Sequence, residues 1–173
     1  PRIVHKMLMR IGINTGEIVV GNMGSSVRMN YTMMGDSVNL AARLEAGAKQ
    51  YGVYTMASEF TLDYPIVIED GTTRRVKDFI EYRFIDKIVV VGKSEPVQVF
   101  EVVAMKGDLN QKEQKLFTLF NEGIELYLAR KWDEAAVKFR EAEQYERVPE
   151  GKTTPSAVYI YRCDHMKKNP PGD

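Results

Sequence analysis

Residues Arg10 to Gly52 read RIGINTGEIVVGNMGSSVRMNYTMMGDSVNLAARLEAGAKQYG, and the rest of the chain is interpreted outward from them. Apolar, β-branched runs at Leu8–Asn14 and Glu17–Asn22, separated by Thr15-Gly16, predict strand, turn, strand or one kinked continuous strand, and Arg28–Met34, closed by Gly35, predicts another. From Asp36 to Gln50 the pattern becomes helical. The alanines favour helix, Asp36 after Gly35 is expected to cap the first turn, and Gly52 supplies the stop. On that helix Asn39 and Arg43 stand four residues apart, so both project from one face.

Those two side chains suit one kind of chemistry. Arg offers a planar fork of donors that matches phosphate, and Asn donates to an oxygen that is gaining charge. Ala42 and Ala46 beside them leave room for a ligand or a partner chain. Gly16, Gly21, Gly24 and Gly35 in the preceding turns permit close backbone approach. Set against this, an Asn and an Arg on a helix are commonly plain solvated surface.

The run GINTGEIVVGNMGSSVRMNYTMMGDSVNLAARLE resembles the second half of the catalytic domain of the class III nucleotidyl cyclases, the adenylate and guanylate cyclases. The resemblance implies that Asn39 and Arg43 stabilise the charge developing as a 3′-oxygen attacks an α-phosphate. It also places a base-reading residue at Thr32, which is similar to many bacterial adenylate cyclases and favours ATP over GTP. A late-strand Lys that holds the terminal phosphates is expected at the position occupied by Val91. Either Lys93 or Lys87 substitutes, or phosphate binding is weaker than is usual in the family; Lys93 is assigned to substrate binding.

In such domains two aspartates upstream of the segment matching Arg10 hold two divalent ions. Glu17, Asp36 and Glu45 do not fall on those positions. The expectation is therefore a fragment of a longer enzyme, inactive alone, whose Mg2+ or Mn2+ is bound by residues outside this chain, with no metal ligand of its own. The resemblance further implies a site shared across a homodimer, each subunit holding part of it. The rival expectations are a catalytically silent dimerisation scaffold, favoured by Val91, and a guanylate cyclase, opposed by Thr32.

With 173 residues, 44% apolar and 28% charged, the chain reads as globular rather than disordered. Lys plus Arg and Asp plus Glu number 24 each, so no positive field argues for a nucleic-acid partner. A single cysteine, Cys163, suits a reducing compartment and reads as buried filler. There is no apolar run of bilayer-crossing length, so the expected location is cytoplasmic, with membrane attachment left to the full-length parent.

Elsewhere, Met23, Met29, Met33 and Met34 read as core or dimer-interface filler, and Arg28 as a structural ion-pair partner, in preference to a phosphate contact. Val53–Met56 predicts a strand, Ser58–Leu62 a helical turn, and Asp63–Lys77 a loop or hairpin. Phe79–Val91 with Val97–Val103 predicts the closing hairpin of the sheet. A boundary is expected at residues 105/106. Beyond it Lys115–Tyr145 reads as a helical hairpin similar to one tetratricopeptide repeat, with Gly123, Trp132, Ala135, Phe139 and Ala142 at the fitting spacings. Pro155–Lys167 follows as a helix capped by Thr154. The hairpin is either a stabilising appendage or a docking point for a protein partner. The predicted class is α/β (α+β): a partial cyclase domain with a ferredoxin-like sheet, residues 1–105, followed by a helical unit, residues 106–173.

Overall fold

The computed structural model describes residues 8–89, 95–147 and 153–171. In chain order these form β1 (Ile11–Ile13), β2 (Val19–Ser25), β3 (Arg28–Met34), α1 (Asp36–Tyr51), β4 (Thr55–Ser58) and α2 (Glu59–Leu62). Then come β5 (Pro65–Val67), β6 (Thr73–Arg75), a single 3-10 turn (Val76–Asp78), β7 (Ile80–Ile88) and β8 (Val97–Met105). Three helices complete the chain: α3 (Gln111–Leu128), α4 (Trp132–Glu143) and α5 (Pro155–Lys168). The class is mixed α+β, as the patterning predicted.

A four-stranded sheet runs β1-β4-β8-β7, with β1 and β4 parallel and the other neighbours antiparallel. Helix α1 lies on it, burying Leu40, Leu44, Ala48 and Tyr51 against Met56, Ile85, Val97 and Val99. Each buried Leu contributes about 2 kcal/mol. That burial outweighs a weak start, because Gly35 rather than Asp36 occupies the capping position and no side chain caps the helix. Asp36 is the first helical residue instead, where its charge still complements the helix dipole. At the far end Gly52 takes the left-handed conformation, φ 70°, that closes the helix.

The hairpin β2–β3 stands apart from this sheet and pairs only with itself among the described strands. Its apolar side chains face outward: Val19, Met29, Tyr31, Met33 and Met34 are all more than half exposed. Met29, Met33 and Met34 are therefore not core, contrary to one of the two expectations for them. Periodicity reports that a strand is apolar, not what covers it. Arg28 sits near the tip of this arm, exposed and without an ion pair to any described residue, so its expected structural pairing is not found.

Of the three helices α3 packs against β7, the edge of the sheet, α5 reaches it through Tyr159 and Arg162, and α4 packs on both helices. Gly123 of α3 lets Phe139 of α4 approach so closely that a Cβ at 123 would stand 2.7 Å from its ring. Asn110 caps α3 in a reciprocal box with Glu113, and Thr154 caps α5 by accepting from Ala157 N. Cys163 is fully buried among these helices.

One ion cluster joins sheet to helices. Arg83 of β7, 3% exposed, donates to Glu101 of β8 at 2.6 Å and, through both terminal nitrogens, to Glu146 after α4 at 2.8 and 2.9 Å. Glu146 in turn accepts from Ser156 of α5, and the guanidinium lies over the Phe120 ring of α3. Burial opposes the charge on Arg83, but the two carboxylates outweigh it and hold the guanidinium protonated. Removing the cation would strand two carboxylates in a low-dielectric interior. Arg83→Met is thus expected to cost about 3–5 kcal/mol of unfolding free energy in urea titrations; a loss below ~1 kcal/mol would contradict this role.

Candidate functional site

The exposed face of α1 carries Asn39, Ala42, Arg43 and Ala46, one helical step from the buried face of Leu40 and Leu44. Neither Asn39 nor Arg43 makes a side-chain hydrogen bond or ion pair with any described residue. Two potent donor groups are thus held on a fixed helix with their donors free. Thr32, on β3 four residues before the helix begins, is likewise exposed, and its side chain has no described partner. These three residues lie along one continuous strand–turn–helix segment.

The other expected phosphate contact is placed differently. Val91 and Lys93 lie outside the described residues. Lys87 lies on β7, with β8 and β4 between it and β1. A spacing of roughly 4.8 Å per strand puts it about 14 Å across the sheet from the strand beneath the first half of α1.

What fixes α1 in place was not visible in the spacing of its own residues. β1 passes so close that a Cβ at Gly12 would stand 2.1 Å from the Ala41 carbonyl and 2.4 Å from the Glu45 nitrogen. Asn14, just after β1, donates its amide to the Ser37 carbonyl in the first turn of α1 at 3.0 Å. The same side chain accepts from the buried Ser58 hydroxyl at 2.6 Å, and Ser58 also caps α2. Gly12 and Asn14 therefore set the height and rotation of the half of α1 that bears Asn39 and Arg43. The Gly and Asn in IGINTG carried the signal, but a glycine that admits a helix reads the same as one that makes a turn.

Among the described residues no group of three or more His, Cys, Asp or Glu side chains is arranged to hold a metal ion. A cavity of about 170 Å³ lies elsewhere, between Gly52, Tyr54, Arg83, Glu101 and α3. Its charged walls are paired with one another, Arg83 with Glu101 and Glu146, and Arg147 with Glu113.

The sequence profile of the adenylate and guanylate cyclase catalytic domain matches residues 2–64, the segment that holds Thr32, Asn39 and Arg43. This segment belongs to the class III nucleotidyl cyclase catalytic domains. The chain is 33% identical over 154 residues to the terminal-differentiation specific adenylate cyclase of Dictyostelium discoideum, covering 88% of this chain and 7% of that protein. It is 35% identical over 104 residues to adenylate cyclase 1 of Rhizobium meliloti, covering 60% of this chain and 14% of that one. Among solved structures, the adenylyl cyclase CyaB of P. aeruginosa is similar at 36% identity and a TM-score of 0.44, over 62% of this chain and 49% of that one. The chain thus spans a small part of the curated relatives it matches. A match of 154 residues necessarily runs past β8 into the helices beyond it. No described helix is long and apolar enough to cross a membrane.

Gly12→Ala is expected to lift α1 from β1, because the clash is with backbone that cannot rotate away. The thermal unfolding midpoint should fall by several degrees, on the order of 1–3 kcal/mol for an overpacked contact. An unchanged midpoint would show that the helix is not seated as described.

Proposed function

We propose that this chain supplies the transition-state donors of an adenylate cyclase that converts ATP to cyclic AMP and pyrophosphate. The observation that carries the reading is the pair Asn39 and Arg43: exposed, without a described partner, one turn apart, and inside the segment that matches the cyclase catalytic domain. In the reaction the ribose 3′-oxygen forms a bond to the α-phosphorus and the bond to the pyrophosphate oxygen breaks, while the hydroxyl proton leaves to a base or solvent. Negative charge grows on the α-phosphate oxygens. The Arg43 fork meets that charge, and the Asn39 amide donates to an oxygen beside it. Thr32, just before α1, would read the adenine edge, and Lys93 is assigned to the terminal phosphates.

Class III cyclases generally use divalent metal ions. In this reading Mg2+ or Mn2+ would be held by residues outside this chain, on the partner subunit of a homodimer. The arm β2–β3 supports the dimer. A two-stranded hairpin is marginal on its own in water, and this one turns Val19, Met29, Tyr31 and Met33 outward, where a second subunit would cover them. The helices α3 and α4, similar to one tetratricopeptide repeat, begin a helical unit at residue 106, and a protein partner would dock on them.

The test uses the full-length protein that carries this chain, assayed with Mn2+ and either ATP or GTP. ATP should be the better substrate. Asn39→Ala and Arg43→Ala should each lower kcat by about 10²–10³ with little change in folding, as expected for loss of a single transition-state donor. Undiminished turnover in both variants would remove the site assignment, and no turnover in the unaltered parent would favour the silent scaffold to which Val91 points.

A further inference from the structure

The C-terminal end of α1 is held from a direction that neither the sheet nor the cyclase match accounts for. Tyr51, its last residue, donates its hydroxyl to Asp86 Oδ2 of β7 at 2.5 Å. Arg162 of α5 donates to the same oxygen at 2.6 Å and to the Tyr51 hydroxyl at 3.4 Å. Its guanidinium lies 5.7 Å from the centre of the Tyr51 ring and 5.1 Å from that of Tyr159. Tyr159, also on α5, donates to the Ile85 carbonyl at 2.9 Å, while Val158 packs into the core beneath α1.

The chain entering α5 closes the same end from above. The Thr153 carbonyl stands where the side chain of residue 52 would be, 1.6 Å from an ideal Cβ, so only glycine lets the two segments meet. Burial, then the Asp86 hydrogen bond, push the Tyr51 phenol up to about 12, so it remains a donor at neutral pH. The link is thus built of charge-assisted bonds, half-buried, between helices more than a hundred residues apart in sequence.

A helix is stiff over this length. At 1.5 Å per residue Tyr51 lies about 12 Å along the axis from Arg43 and about 18 Å from Asn39, so a rotation or slide at one end is transmitted to the other. We propose that Arg162, acting through Asp86 and Tyr51, is a positioning residue for Asn39 and Arg43, so that the helix α5 sets the register of the donors on α1. The proposal rests on the cyclase reading of those donors. A displacement of 1 Å at reacting groups can cost on the order of 10²-fold in rate, which gives the link leverage without any contact to substrate.

The experiment measures kcat and KM for ATP in the full-length protein, with Arg162→Met and Arg162→Lys each made alone and in an Asn39→Ala background. Arg162→Met should lower kcat about tenfold and leave KM within about twofold, because misplaced donors weaken the transition state rather than the ground state. Arg162→Lys, which keeps the charge on Asp86, should recover part of the loss. With Asn39 already removed, Arg162→Met should cost no more than about threefold further, the non-additivity expected of residues that act through one another. Unchanged kcat in a folded Arg162→Met protein, or an equal fall in both backgrounds, would overturn the proposal. Should Arg162→Met not fold, Arg162→Lys carries the same comparison in both backgrounds. Absence of turnover in the unaltered parent would overturn the cyclase reading itself and the proposal with it, whereas turnover that is sensitive to Asn39 but not to Arg162 would overturn only the proposal.

Discussion

Helix α1 rests on β1 with its backbone in the space that a side chain at residue 12 would fill. That contact decides the geometry of the site. Because Gly12 admits the helix, Leu40 and Leu44 reach the sheet, and the opposite stripe of Asn39, Ala42, Arg43 and Ala46 is left in solvent. The burial of the leucines, about 2 kcal/mol each, fixes the rotation of the helix, and rotation fixes which residues face outward. Free donors on a helix are common; donors on a helix pinned at both ends are suited to stabilising charge, since they need no reorganisation when the charge appears.

The two apolar clusters are separate but interleaved. One lies between α1 and the sheet, the other among α3, α4 and α5. Val158 of α5 reaches into the first and Phe84 of β7 into the second, while Arg83 ties Glu101 of the sheet to Glu146 at the end of α4. The desolvation of such a cluster is expensive, so it adds specificity of docking more than net stability. A helical unit attached in this way is in a position to influence α1, which a loosely tethered one would not be.

Much of this was legible in the sequence because it is local. The alternation of strand, glycine turn and alanine-rich helix placed α1 to within a residue of its observed end, and the i, i+4 spacing put Asn39 and Arg43 on one face. The helical periods after residue 110 and the Thr154-Pro155 start located α3, α4 and α5. What stayed hidden depends on partners distant in sequence. The methionines of β3 read as apolar whether a core covers them or not, and only the structure shows the arm standing free. Asp36 fits the capping preference, yet the chain turns through Gly35 at φ 141° and leaves the aspartate inside the helix. Arg83 and Arg162 find their partners Glu146 and Asp86 more than sixty residues away along the chain, where no local pattern reaches. Gly12 carried no mark separating it from the turn glycines around it.

The most direct measurement is a crystal structure of the full-length protein with a non-hydrolysable ATP analogue and Mn2+. The account predicts that the Asn39 amide and the Arg43 guanidinium stand within hydrogen-bond reach of the α-phosphate region, about 2.7–3.2 Å donor to acceptor. A bound nucleotide seated elsewhere, with both side chains still facing bulk water, would contradict it.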